Sequence, residues 1–323
     1  LYFAALQTLK MKKNMDKSIK ILGLIAVIMI SSLLIFAAKK SDSEADNYLK
    51  EGDKNTSETY QIKALKIPEK LDFAGERVPT ENDDIKERMD RELLVNTYWQ
   101  SNTMLLFKRA HKFFPTIEPI LEKNGIPNDF KYLAVIESGL LNATSPAGAK
   151  GFWQILEGTA KEGGLEVNSN VDERYHLEKS TQAACDYLKS AKARFGNWTL
   201  AAAAYNAGNR GVSSKMDTQK VNSYYDLLLG DETERYILRI VALKEIMSNP
   251  EKYGFIFDIG DLYTETPTKI VEVSTPIADV AQYSIDLGIN YKIMKLHNPW
   301  LRENTLENKT GKTYQLKIPV EAK

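Results

Sequence analysis

The chain has 323 residues, enough for two domains with a sizeable apolar core. Its 43 basic and 43 acidic residues cancel to a formal net charge of zero, which gives no electrostatic footprint for nucleic acid. A single cysteine, Cys185, excludes an intrachain disulfide framework.

In chain order, residues 1–10 precede Met11-Lys12-Lys13-Asn14-Met15, a more natural start, and are treated as upstream sequence within an N-terminal segment 1–18. Residues 19–38 form an almost unbroken apolar run, the roughly 20 residues that a bilayer-spanning helix needs. Lys12, Lys13, Lys17 and Lys20 precede the run and Lys39 and Lys40 follow it, which predicts an N-terminus inside and the remainder outside. Its end, Ile35-Phe36-Ala37-Ala38, is a poor small-x-small cleavage site, so a transmembrane anchor is expected over a signal sequence. Either reading exports the rest of the chain. Residues 39–82 read as a polar linker followed by an extended segment, in which Ile67-Pro68, Phe73-Ala74-Gly75-Glu76 and Val78-Pro79 mix apolar anchors with helix breakers.

From 83 to 255 the signals are helical and strand signals are almost absent. Thr80-Glu81-Asn82-Asp83 reads as a variant capping box, after which Ile85, Met89 and Leu93 recur four apart and the pattern runs on through Leu105 and Leu106. Pro115 suits the first turn of a separate short helix over 116–123, ended by Asn124-Gly125. Another helix begins near Pro127-Asn128-Asp129 and carries Leu133, Ala134, Val135, Ile136 and Glu137. Ser180 or Thr181 opens a helix reaching Phe195, with Ala184, Leu188 and Ala191 on one face and Cys185 as a buried structural thiol. Asn197 caps a segment over 198–206 that Ala207-Gly208 ends, and Asp231 opens one over 233–247 that Asn249-Pro250 stops.

After a linker over 256–267 the pattern changes. Lys269-Ile-Val-Glu-Val alternates as a strand, 277–287 and 292–296 have helical periodicity, and Tyr314-Gln-Leu-Lys-Ile-Pro319 closes as a strand. The fold class is therefore mainly α, with a small α+β module over 268–323.

The chemistry gathers where the run Leu133 to Ile136 ends in Glu137 and a Ser, Pro and Gly loop returns to Phe152, Trp153 and Gln154. A carboxyl in that position is partly desolvated, which raises its pKa and suits it to general acid work near neutral pH. A solvated glutamate at a helix end is the ordinary alternative. Gly148 and Gly151 permit turns closed to other residues, and Trp153 with Gln154 offers an apolar body and a neutral hydrogen-bonding head of the kind a sugar pocket needs. An ordinary helix-to-helix connection would use the same glycines. His111, His176 and His297 are too scattered for a metal cluster and no Gly-x4-Gly-Lys loop occurs, so neither metal, nucleotide nor other cofactor is implied.

Glu137-Ser138, then Ser145-Pro-Ala-Gly-Ala-Lys-Gly-Phe-Trp-Gln154, and later Ala204-Tyr-Asn-Ala-Gly208, resemble the catalytic domain of the lytic transglycosylases of glycoside hydrolase family 23, within it the membrane-bound lytic murein transglycosylase D type. The order and spacing agree over most of residues 83–254. The resemblance implies a lysozyme-like all-helical catalytic domain whose partner is the peptidoglycan glycan strand, in the cell envelope outside the cytoplasm and periplasmic in a Gram-negative cell. It also implies that one carboxylate does the work usually shared by two. Glu137 would protonate the glycosidic oxygen between N-acetylmuramic acid and N-acetylglucosamine while the muramoyl acetamido oxygen stabilises C1. The same group would then take the proton from the muramoyl 6-hydroxyl as it attacks C1, leaving a 1,6-anhydro end. Ser145, Gln154, Tyr205 and Asn206 match substrate-binding positions. Asp231-Glu-Thr-Glu-Arg-Tyr236 resembles the family's Glu-Thr-Arg-x-Tyr segment with Glu234 in place of its arginine, which adds Glu232 and Tyr236. The C-terminal module, with Asn298-Pro299-Trp300-Leu301, resembles a LysM module whose usual Gly-Asp-Thr-Leu opening is replaced by Ser274-Thr275-Pro276-Ile277. That departure leaves glycan binding and a structural role both open. A lysozyme-like hydrolase and a non-catalytic wall-binding protein are the alternatives to the transglycosylase.

Overall fold

The computed structural model describes residues 62–320. The anchor expected over 19–38 and the first part of the linker lie outside the described residues, among which no helix is long and apolar enough to cross a membrane.

The extended segment contains a small hairpin, β1 (Asp72–Phe73) antiparallel to β2 (Glu76–Arg77). Ala74 and Gly75 turn it with φ of 54° and 78°, the left-handed pair that a two-residue hairpin requires. Leu71, Phe73 and Val78 are buried, and the Phe73 ring lies 5.0 Å from that of Phe130.

Eight helices follow: α1 (Asp83–Tyr98), α2 (Gln100–Lys123), α3 (Lys131–Ser138), α4 (Glu157–Glu162), α5 (Leu177–Phe195), α6 (Trp198–Ala207), α7 (Asn209–Gln219) and α8 (Asp231–Ser248). The long α1 packs on α8, α2 and α6 flank α5, and the short α3 is held against α2 and α8. In α6 every residue from Thr199 to Ala204 is buried, which explains its four consecutive alanines: only a methyl fits where neighbouring backbones approach on all sides. Its N-terminus is capped twice. Asn197 Oδ1 accepts from the Leu200 amide at 2.7 Å, and Glu76 of β2 accepts from the Trp198 and Thr199 amides at 2.6 and 2.8 Å. Cys185 is fully buried on α5, where burial pushes its thiol up to about 12 and keeps it protonated.

Three local expectations are corrected. The Thr80 capping box does not form; Asn82 stands at the N-cap without a side-chain bond, and Asp83 and Asp84 supply the negative charge that the helix dipole favours. No helix starts at Pro115, because α2 runs through both Pro115 and Pro119. Both prolines are exposed and four residues apart, so the carbonyls they leave unpaired face water, while Phe107, Ala110, Ile117 and Leu121 pack the opposite face into the core. Finally, α5 begins at Leu177 rather than at Ser180 or Thr181, whose hydroxyls both donate back to the Leu177 carbonyl from inside the helix.

The C-terminal module is a strand-helix-helix-strand unit. Its β3 (Thr268–Val273) pairs antiparallel with β4 (Tyr314–Pro319), Thr268 opposite Pro319 and Val273 opposite Tyr314. Between them lie α9 (Val280–Asp286), capped by Asp279, and α10 (Tyr291–His297), capped by Asn290. Val280, Met294, Leu301, Leu306 and Leu316 form its core, which Val171 and Tyr175 of the helical region enter.

Replacing Glu76 with alanine removes both carboxylate caps from α6. We expect a loss of about 1–2 kcal/mol in unfolding free energy, read by urea denaturation with an unchanged m-value.

Candidate active site

The helix α3 buries Tyr132, Leu133, Ala134, Val135 and Ile136 in succession and stops at Gly139, whose φ of 61° breaks the helix just after Glu137. Arg109 Nη1 donates to the Gly139 carbonyl at 3.1 Å and secures this end. Residues 143–155 then fold back as a tight loop. The Gly151 amide donates to the Ala143 carbonyl at 3.0 Å, and Lys150 and Ile155 exchange both backbone bonds at 3.1 Å. Gly151 is obligatory, since a Cβ there would lie 2.0 Å from the Arg174 carbonyl oxygen.

One side of this loop opens on a groove of about 650 Å³, lined by Glu137, Ser145, Gln154, Tyr205, Asn206 and Glu232, with Leu156, Thr159 and Tyr187 among its other walls. Six of the seven candidate side chains thus share one groove. The seventh, Tyr236, does not line it; buried on α8, it donates its hydroxyl to Glu137 Oε1 from behind. Trp153 also departs from expectation. At 0% exposure it is a core side chain, its Nε1 donating to Thr181 Oγ1 at 2.8 Å, and it offers no surface to a sugar.

The remaining groups already hold partners within the chain. Tyr205 donates to the Trp153 carbonyl at 2.7 Å. Gln154, itself in the left-handed region with φ 47°, donates its amide to the carbonyls of Gly151 at 2.8 Å and Ala143 at 3.2 Å. Ser145 Oγ accepts from the Ala149 amide at 3.0 Å. Asn206 Oδ1 accepts from Thr233 Oγ1 at 2.7 Å, and its Nδ2 stands 3.5 Å from Glu232 Oε1, which joins the end of α6 to the start of α8. Glu232 occupies the first turn of α8, where the dipole favours a carboxylate, and faces the groove as well. Glu234 is paired with Arg88 Nη1 at 3.0 Å.

Burial raises the Glu137 carboxyl from 4.5 to about 7; the Tyr236 hydrogen bond is the main opposing influence, the Glu232 charge adds to the rise and the Arg239 charge counters it. Burial, then the Glu137 charge, push the Tyr205 and Tyr236 hydroxyls well above their ordinary value, so both remain donors. The site therefore presents a carboxyl that is part neutral and part ionised at neutral pH. Tyr187 and Arg239 were not among the sequence candidates. Tyr187 sits edge-on to Tyr205 with ring centroids 5.3 Å apart, and nothing local in its helix marks it out.

Residues 115–227 match the Transglycosylase SLT domain, and residues 269–322 match the Soluble lytic transglycosylase C-terminal LysM-like domain. A mainly helical region that matches an SLT domain is thus followed by a small module that matches a LysM-like SLT C-terminal domain. It is 30% identical over 232 residues to the membrane-bound lytic murein transglycosylase D of Escherichia coli (strain K12), and equally to that of strain O6:H1, over 70% of this chain and 50% of the relative. The chain therefore spans about half the length of the curated relatives it matches. Among solved structures, the 70 kDa soluble lytic transglycosylase of Escherichia coli is 18% identical, with a TM-score of 0.38 over 61% of this chain and 39% of that one.

A carboxyl whose pKa rises on folding takes up a proton as the chain folds, so its contribution to stability falls as pH increases from 4.5 through about 7. Glu137→Gln removes that loss. Thermal melts should find the two proteins alike near pH 4 and the variant more stable above about pH 8, by up to about 2–3 kcal/mol.

Proposed function

We propose that this protein is a peptidoglycan lytic transglycosylase, cleaving the β-1,4 bond between N-acetylmuramic acid and N-acetylglucosamine to leave 1,6-anhydro ends. The observation that carries the reading is Glu137: a carboxyl raised to about 7 on the wall of a groove that it shares with Ser145 and Gln154 of the loop and with Tyr205 and Asn206 of α6. The relatives named above support the same class.

In this reading Tyr236 holds Glu137 Oε1, and Oε2 meets the glycosidic oxygen. Glu137 delivers its proton as the bond to C1 breaks, with the substrate's own acetamido oxygen covering the charge on C1. The tyrosine's donated bond stabilises the carboxylate that results. The Glu232 charge and burial then restore its appetite for a proton, which comes from the muramoyl 6-hydroxyl as that oxygen closes on C1. One group can serve both steps because its two protonation states are close in energy at neutral pH. Ser145, Gln154, Asn206 and Glu232 contact the sugars; the ring of Tyr205 forms part of the wall while its hydroxyl braces the loop. Residues 83–255 form the catalytic domain and 268–323 the LysM-like module. The protein works in the cell envelope, anchored through residues 19–38, with the groove outside the cytoplasm.

A second reading is favoured by one observation: Glu232 places another carboxylate on the same groove, as a hydrolase with a separate base would need. Mass analysis of products from purified sacculi distinguishes the two. Anhydro ends are expected, whereas ends one water heavier would assign a lysozyme-like hydrolase with Glu232 as base. Glu137→Gln should reduce release by about a hundredfold or more in either case, and undiminished release would remove Glu137 from the reaction altogether.

The rate for the wild type should fall on the alkaline side with an apparent pKa near the value of about 7 given by burial. Because the Tyr236 bond favours the ionised form, Tyr236→Phe should move that limb to higher pH. A pH–rate profile that stays in place would mean that Tyr236 does not act on the acid.

A further inference from the structure

The stretch between α4 and α5 faces the C-terminal module on one side and the active-site loop on the other. Toward the module, Asn170 is 7% exposed and behaves like a paired strand residue. Its Nδ2 donates to the Thr305 carbonyl at 2.7 Å, its Oδ1 accepts from the Glu307 amide at 3.0 Å, and its own carbonyl accepts from the Arg302 amide at 2.8 Å. The Asp172 amide donates to the Trp300 carbonyl at 2.9 Å, and Val171 forms a β-bridge with Leu301. The Arg302 guanidinium lies 4.2 Å over the Tyr175 ring, and Lys312 reaches both Glu166 and Glu173 at 3.0 Å.

Toward the loop, the Arg174 guanidinium is 2% exposed and paired with Asp172 at 2.8 and 2.9 Å. It donates through Nη1 to the carbonyls of Gly148 at 3.2 Å and Ile155 at 3.3 Å. Those two carbonyls bracket the half of the loop that carries Gln154. Tyr175 also bonds Thr144 Oγ1 at 2.9 Å, beside Ser145. One short stretch therefore meets the module through residues 170–173 and the loop through Arg174, with Tyr175 touching both.

We propose that the C-terminal module is a structural part of the active site: by pairing with residues 170–172 it fixes Asp172 and Arg174, positioning residues that hold the loop presenting Ser145 and Gln154 to the groove. The module thus acts on turnover through the loop and needs no glycan contact of its own to do so. This rests on the reading of the groove as the glycan-cleaving site.

The test uses the full chain with Asn170→Ala, read by hydrogen exchange of amides 148–155 and by kinetics on soluble glycan oligomers. Loop exchange should rise about tenfold and kcat fall about tenfold or more, with KM within about twofold, since misplaced loop groups cost rate more than binding. Asn170→Asp, which keeps the acceptor for the Glu307 amide, should recover part of both. Unchanged loop exchange beside loosened residues 300–307 would overturn the coupling; a raised KM at unchanged kcat would make the module a glycan binder and overturn it too. Should Asn170→Ala not fold, Arg302→Ala combined with Lys312→Ala loosens the same contact from the module's surface, with the same expectations and the same overturning results. The exchange readout does not depend on activity, so a wild type that cuts no glycan would sink the groove reading while exchange alone still decides the coupling.

Discussion

The burial of α3 is the constraint on which the site depends. A helix of eight residues does not hold its shape alone in water, because nucleation costs more than so few bonds return. It is helical here because five consecutive side chains have nowhere else to go. The acid is therefore placed by the core rather than by local preference, and the desolvation that raises its pKa comes from the same packing. Trp153 extends this control to the loop: its indole is bonded to Thr181 inside the core and its carbonyl orients Tyr205. One fully buried residue, through its indole and its backbone carbonyl, ties the loop, α5 and α6 together, so the groove has little independent freedom of shape.

What could be read from the sequence was what short-range physics decides. The Asn197 cap, the stop at Gly208 and the closing strand over 314–319 all express preferences settled within a few residues, and the structure has each of them. The misreadings came where a distant surface overrode a local sign. Pro115 is a helix starter in isolation, yet the apolar face beneath it carries α2 straight through. Ser180 and Thr181 are good caps, yet their hydroxyls turn back into a helix already begun. Trp153 reads as a sugar-facing ring because it adjoins Gln154 at the end of a glycine-bearing loop, whereas Tyr236 enters the site through the resemblance alone. Which side of Glu137 a tyrosine on α8 occupies depends on how α8 crosses α3, and no periodicity carries that information.

The seam between α1 and α8 accounts for the departure from the family pattern at position 234. Glu92, 1% exposed, accepts from Arg91 at 2.5 Å and from Arg235 at 2.7 Å, while Glu234 meets Arg88. An arginine at 234 would set a second guanidinium beside Arg88 and leave Arg88 only its pairing with Asp84, so the glutamate suits its neighbour on α1. A buried carboxylate between two guanidiniums adds little net stability but penalises any register that separates them. That matters because the same helix carries Glu232 into the groove and Tyr236 to the acid.

The contacts that finish the site join residues far apart along the chain: 99 positions between Glu137 and Tyr236, 122 between Glu76 and Trp198, and 135 between Asn170 and Thr305. Helical proteins tend to fold quickly because their contacts are local, and these are not. A nascent chain that has made α6 but not α8 holds Glu137 without the tyrosine that orients it and without the Glu232 charge that helps tune it. The order of synthesis thus leaves the Glu137 carboxyl without its orienting and tuning partners until α8 has been made.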